Sequence, residues 1–125
     1  MPERAVPFII DGTWQMVRAE FAGDKAPDLV AQRTTVEFSG VNYRVRFDGE
    51  VTDEGRFEID QTTPDNTLKL YGISGPNSGR TIRCIYQQVG DRLRVCFGLD
   101  GIQPPDFTTA PGQNRYLATY RRYTN

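Results

Sequence analysis

Thr34–Phe47 reads TTVEFSGVNYRVRF, and its alternation decides the fold. Val36 and Phe38 fall at every second position, with Thr35 and Glu37 interleaved. After Ser39-Gly40, the residues Val41, Tyr43, Val45 and Phe47 repeat the pattern across Asn42, Arg44 and Arg46. A period of two places apolar side chains on one face of a strand, whereas a helix would need them three and four apart. With Ser39-Gly40 as a two-residue loop, Phe38 opposes Val41, Val36 opposes Tyr43 and Thr34 opposes Val45. Both apolar sets then share one face, as a half-buried antiparallel pair requires.

The same period extends outward from this stretch. Asp48-Gly49 marks the next reversal, and Val51, Phe57 and Ile59 follow in phase. Bringing them to the face of Phe47 predicts a three-residue turn or a bulge. A looser connection from Asp60 to Asn66, with Pro64, leads to Leu68 and Leu70. SGPNSG (Ser74–Gly79) reads as a turn. Ile82, Cys84 and Tyr86, then Gly90-Asp91, then Leu93, Val95 and Phe97 form the clearest hairpin. It predicts Tyr86 opposite Val95 and Cys84 opposite Phe97. PPDFTTAPG (Pro104–Gly112) is an irregular crossing, and Arg115–Tyr123 alternates again.

With DGTWQMVRAEF (Asp11–Phe21) as the first strand, this makes about eight strands at the spacing of barrels and sandwiches. The helical candidate is Pro27 to Ala31, one turn with Pro at its start. Tight reversals favour a meander over a Greek key. A meander leaves two raw edges unless its first and last strands pair. The predicted fold is therefore all-β: an eight-stranded antiparallel up-and-down barrel with at most one short helix. Residues 1–10 read as an N-terminal extension and 11–125 as a single barrel domain.

Composition narrows the chemistry. In 125 residues, 15 Lys+Arg balance 16 Asp+Glu to a net charge of −1. Such a balance gives no drive toward nucleic acid or anionic membrane, and neither is expected as a partner. Only Lys25 and Lys69 are lysines. Arginines between apolar strand positions suit cross-strand ion pairs on a solvated face. An RNA-binding sheet would need its stacking rings on that basic face, and here they lie on the other. No stretch approaches the ~20 apolar residues of a membrane span. Val6–Ile10 is broken by Pro7 and too short for a signal-peptide core, so the chain is read as cytoplasmic or as exported with its leader removed. A monomer or weak dimer is expected.

There is no histidine. That removes Ser-His-Asp and Cys-His catalysis, histidine-ligated haem and the usual catalytic zinc site. The two cysteines, Cys84 and Cys96, fall on opposite faces of their hairpin, which disulfide geometry cannot bridge. Two free thiols are expected, and a one-residue register slip would instead make them neighbours. GPNSGRT (Gly75–Thr81) lacks the Gly-Lys-Ser/Thr ending of a phosphate loop and leads into a strand, so it reads as a turn. Nothing in the spacing of Asp53 with Glu54, or of Asp100 with Asp106, forces a catalytic carboxylate pair. No calcium-loop pattern occurs. Accordingly no catalytic residue, cofactor site or metal site is assigned.

Gly12-Thr13-Trp14 resembles the Gly-x-Trp signature of lipocalins and the wider calycin group. In that group the Trp closes one barrel end and an Arg from the end of the last strand packs across its ring. The resemblance implies Gly12, Trp14 and Arg122 as the closure, with Arg121 as the alternative. Arg122 is preferred because it shares a phase with Ala118 and Tyr120. More widely, GTWQMVRAEFAGD, SGPNSGRTIRCIY, GDRLRVCF and PPDFTTAPG resemble, in order and spacing, an uncharacterised family of small lipocalin-like bacterial domains common in planctomycetes and related bacteria. The likeness covers residues 11–122. One departure is Gln103 before Pro104-Pro105, where the family usually has Arg. The family brings no established activity.

The aromatic positions expected inside the barrel, beside Trp14, are Phe38, Tyr43, Phe47, Phe57, Tyr86, Phe97 and Tyr120. Buried rings each remove roughly 150–250 Å² from water, so they either fill the lumen or leave a narrow pocket away from Trp14. The leading expectation is a non-enzymatic lipocalin-like barrel that binds a small hydrophobic or amphipathic molecule in its open end. The alternative is a filled barrel acting on a protein partner or as an inhibitor through loops 22–31, 60–66, 74–79 and 100–113. An enzyme using tyrosine and carboxylate ranks third, and would require a Tyr–Asp/Glu contact with perturbed pKa values.

Overall fold

The computed structural model describes residues 10–60 and 66–123. The predicted N-terminal extension, apart from Ile10, and the centre of the Asp60–Asn66 connection with Pro64 lie outside the described residues.

The strands are β1 (Gly12–Phe21), β2 (Asp24–Lys25), β3 (Thr34–Ser39), β4 (Asn42–Phe47), β5 (Glu50–Asp60), β6 (Asn66–Ser74), β7 (Thr81–Val89), β8 (Arg92–Gly98) and β9 (Arg115–Arg122). One helix, α1 (Asp28–Gln32), precedes β3. Every pairing is antiparallel, in the order β1-β3-β4-β5-β6-β7-β8-β9, and β9 returns to β1 from Trp14↔Arg122 to Phe21↔Tyr116. The wall is a closed eight-stranded meander, and β2 adds a short strand at one edge of β1.

The β7–β8 hairpin has the register read from the sequence, with Tyr86↔Val95 and Cys84↔Phe97. The β3–β4 hairpin differs by two residues. Ser39 pairs with Asn42 and Phe38 with Tyr43, so the loop is Gly40-Val41 rather than Ser39-Gly40. Gly40 has φ +64 while Val41 is not left-handed. A two-residue hairpin with one left-handed residue wants glycine first, which fixes the turn one position later than its first reading. A shift of two preserves side-chain parity, so Val36, Phe38 and Tyr43 still point inward. Val41 becomes an exposed turn residue.

Between β4 and β5 the turn is the two-residue Asp48-Gly49, and Thr52 is bulged, since Val45 pairs with Asp53 and Arg46 with Val51. The bulge sends Val51 outward, contrary to its predicted phase, and turns Asp53 and Gly55 toward the face of Phe57. A second bulge at Val17 lets Ala19 and Phe21 regain the inner face of β1.

β3 pairs with β1 only over Gly12–Gln15. Beyond that point β2 and α1 seal the vacated edge. Ala26 donates its N–H to Ala19 O at 2.8 Å, and Ala31 on α1 is buried in the core. A helix end leaves carbonyls without partners. Gln15 Nε2, with two N–H donors, lies within hydrogen-bond distance of Ala31 O at 3.0 Å, Gln32 O at 3.1 Å and Thr34 O at 3.1 Å, which ties α1 to β1.

The segment 99–114 straps the outer wall. Arg94, Cys96 and Gly98 share the outer face of β8. Phe107 lies under the Arg94 guanidinium at 4.0 Å, and a Cβ on Gly98 would strike Ile102 O. Cys96, between them, is fully buried beneath the strap with Ile85 and Pro104. Cys84 is buried on the inner face, and both thiols are free.

Candidate functional site

The two barrel ends are built differently, and the difference follows each strand. At the β1 start and β9 end, the side chain of Trp14 is fully buried. Its Nε1 donates to Ile10 O at 2.8 Å. The Arg122 guanidinium lies 4.3 Å from the ring centroid, and Nη1 donates to Asp11 O at 2.8 Å. The direct pairing Trp14↔Arg122 puts both side chains on the same face, whereas Arg121 points outward. A Cβ at Gly12 would come within 2.9 Å of Arg122 Nη1, so the glycine leaves room for the cation. Ile10, assigned to the extension from sequence, is fully buried and belongs to this floor.

Above the floor the lumen is packed. Phe38, Phe57, Tyr43, Tyr86 and Tyr120 are all buried, with Leu68, Leu93 and Val95 among them. Phe38 meets Phe57 edge-on, with centroids 5.0 Å apart. The inward positions nearest the opposite end differ. The register sets Phe21, Tyr116 and Phe97 side by side on β1, β9 and β8. Phe97 and Tyr116 are half-buried and stack obliquely at 5.7 Å, while Phe21 is 43% exposed. At the same end of β4, Phe47 is 38% exposed and Val45 half-buried. Phe47 is therefore a rim residue rather than part of the buried lumen. Tyr116 turns its hydroxyl inward and donates to Met16 Sδ at 3.9 Å.

Two glycines shape the wall beneath this rim. Gly55 pairs with Tyr43 on one side and with Gly72 on the other. A Cβ on Gly55 would lie 2.9 Å from Tyr43 Cε1 and 2.0 Å from Tyr71 O, so its absence admits the Tyr43 ring. A Cβ on Gly72 would lie 1.9 Å from Asn77 O, so the Ser74–Gly79 turn can fold back on the strand. There Asn77 Nδ2 donates to Asp53 Oδ2 at 2.9 Å.

Asp53 Oδ1 and Tyr43 Oη are both buried and have no hydrogen-bond partner. Burial pushes the Tyr43 phenol up to about 12, with the Asp53 charge adding to the shift. Burial also raises the Asp53 carboxyl, against the lowering effect of hydrogen bonds from Asn77 and the Glu54 backbone. A buried polar atom left unpaired is rare and calls for a physical reason, a bound water or ligand being one; Asp11 Oδ1 and Gln113 Oε1 share the condition, but only Tyr43 and Asp53 occur together on the inner wall. Tyr43 was legible as an inward ring. Asp53 was not singled out for the lumen, yet counting back in twos from Phe57 through Gly55 places it there.

The other carboxylates do different work. Glu54 points outward to Arg44 Nε at 3.1 Å, so it does not converge with Asp53. Asp100 accepts from the Ile102 N–H, while Asp106 accepts from Thr108 and pairs with Arg115 at 3.3 Å. Among the described residues no group of three His, Cys, Asp or Glu is placed to hold a metal ion, and no helix is long and apolar enough to cross a membrane. Comparison with protein-family models, with curated proteins and with solved structures finds no match, so the closed barrel and its site stand on their own geometry.

Proposed function

We propose that the protein is a non-enzymatic, lipocalin-like carrier that holds a small hydrophobic or amphipathic molecule at the barrel mouth opposite Trp14. One observation carries this reading: the in-register row Phe21–Tyr116–Phe97 and, on β4, Phe47 stand toward the end opposite Trp14, and these rings keep exposed surface. Inward rings elsewhere in the lumen are buried against one another, so the exposed set is a ready apolar lining. The Trp14–Arg122 floor supports the same direction of entry, because it closes the other end.

The test is saturable fluorescence enhancement of N-phenyl-1-naphthylamine on titration with the purified protein. Phe47→Glu, at a rim position with little packing to lose, should weaken dye binding at least tenfold. Ile102→Glu, on the outer strap, should leave it unchanged. An absence of dye binding, or loss in Ile102→Glu but not in Phe47→Glu, would overturn the reading. The second reading, a protein-contacting module, is favoured by Ile102, which stands 68% exposed on the strap. It would take over on the second of those outcomes.

A further inference from the structure

Tyr43 Oη and Asp53 Oδ1 lie on one inner wall, where Asp53 pairs with Val45, the next inward position after Tyr43. Neither atom bonds to the other or to any partner. Among the described residues Asp53 takes no ion pair, and its neighbours in register and contact are neutral: Val45, Asn77 and Gly75. The nearby arginines of β4 face outward, where Arg44 meets Glu54 and Arg46 meets Glu37 at 2.9 Å. Two unfilled bonding positions, an acceptor and a hydroxyl, therefore stand buried on one wall, and Val45 beside Asp53 is the inward position next to Phe47 of the rim.

From this juxtaposition we infer that the ligand carries a primary ammonium on a small apolar body, with N–H bonds to Asp53 Oδ1 and Tyr43 Oη. The inference rests on the carrier reading above and names its ligand class. An ammonium has three donors and no acceptor. It fits an ionised carboxylate and a phenol oxygen, and its charge offsets that of a carboxylate held away from water. A ligand hydroxyl could make the two bonds but leaves the carboxylate charge uncompensated. A ligand carboxylate would bring a second negative charge beside the first.

The experiment displaces N-phenyl-1-naphthylamine with n-octylamine, n-octanol and n-octanoate, which differ in the head group alone. Octylamine should compete at a concentration at least tenfold below the other two. Asp53→Asn and Tyr43→Phe, both close in volume to the native residue, should each erase most of that preference while shifting octanol less than twofold. Octanol or octanoate competing as well as octylamine, with the dye still bound by the wild-type protein, overturns the ammonium assignment and leaves the carrier reading intact. The same holds if the amine preference survives in both variants. If the dye and all three competitors fail to bind, the carrier reading falls and this inference with it.

Discussion

Arg122→Ala tests the floor of the barrel most sharply. The guanidinium sits 4.3 Å from the Trp14 ring centroid, and such a cation over an indole contributes about 1 kcal/mol when part-buried. Its bond to Asp11 O at 2.8 Å is charge-assisted and about 2 kcal/mol more. The ion pair with Asp91 spans 3.7 Å to an aspartate that is 81% exposed and adds almost nothing. The expected loss is therefore about 3 kcal/mol, or roughly 10 °C in melting temperature for a domain of this size. Urea unfolding followed by the emission of Trp14, the single tryptophan, reads the change directly. Arg122→Lys keeps the charge but not the planar stack, and should recover about half of the loss. Arg121→Ala, one position away on the outer face, should cost under about 0.5 kcal/mol. If Arg122→Ala and Arg121→Ala prove equal, the clamp is not what holds this end shut.

Three further outcomes follow from the interior. Both thiols are buried with pKa values raised by that burial, so an aromatic disulfide reagent should leave the native protein untouched and titrate two thiols in denaturant. A native Cys84–Cys96 disulfide would overturn the register. The Tyr43 phenol, held up to about 12 in the folded state against 10 when unfolded, favours the folded protein most below pH 10. The unfolded chain releases that proton first, so stability falls as pH rises from 10 toward 12. Tyr120, pushed up further still by burial, adds to the same loss. Tyrosinate absorbance for these rings should appear together with loss of far-ultraviolet dichroism; titration near 10 with the fold intact would contradict their burial. Gly72→Ala forces a Cβ to within 1.9 Å of Asn77 O and should destabilise the protein by about 2–3 kcal/mol, measured by urea unfolding. A neutral result would mean that the Ser74–Gly79 turn does not seat on β6.

The β7–β8 hairpin was legible because strict alternation sets the face on both sides and Gly90, first of the two turn residues and left-handed, fixes the register. In β3–β4 alternation alone cannot separate registers two residues apart, and the backbone demand of Gly40 decides between them. Closure was legible as the remedy for two raw edges. The strap over Cys96 was not, because Pro104–Gly112 has no period and its place on the wall comes from contacts with Arg94 and Gly98 that are distant in sequence. Asp53 was hidden for a related reason. The Thr52 bulge breaks the phase when β5 is read forward from the turn, and only the backward count from Phe57 survives it. The aromatic rim mixes both cases: Phe97 was named as inward, but its alignment with Phe21 and Tyr116 needs the second bulge, at Val17.

The ladder between β9 and β1 also has a kinetic meaning. From β4 to β9 each strand pairs with the one just before it, so these ladders can zip locally as the chain collapses. The closing ladder joins residues about a hundred positions apart, and its loop entropy delays it. A transient, uncurled ribbon with two unsatisfied margins should therefore precede the finished cylinder, and it is in that state that neighbouring chains could stitch together. Speed of sealing, more than depth of the final energy well, would then govern how much of this protein survives refolding at high concentration.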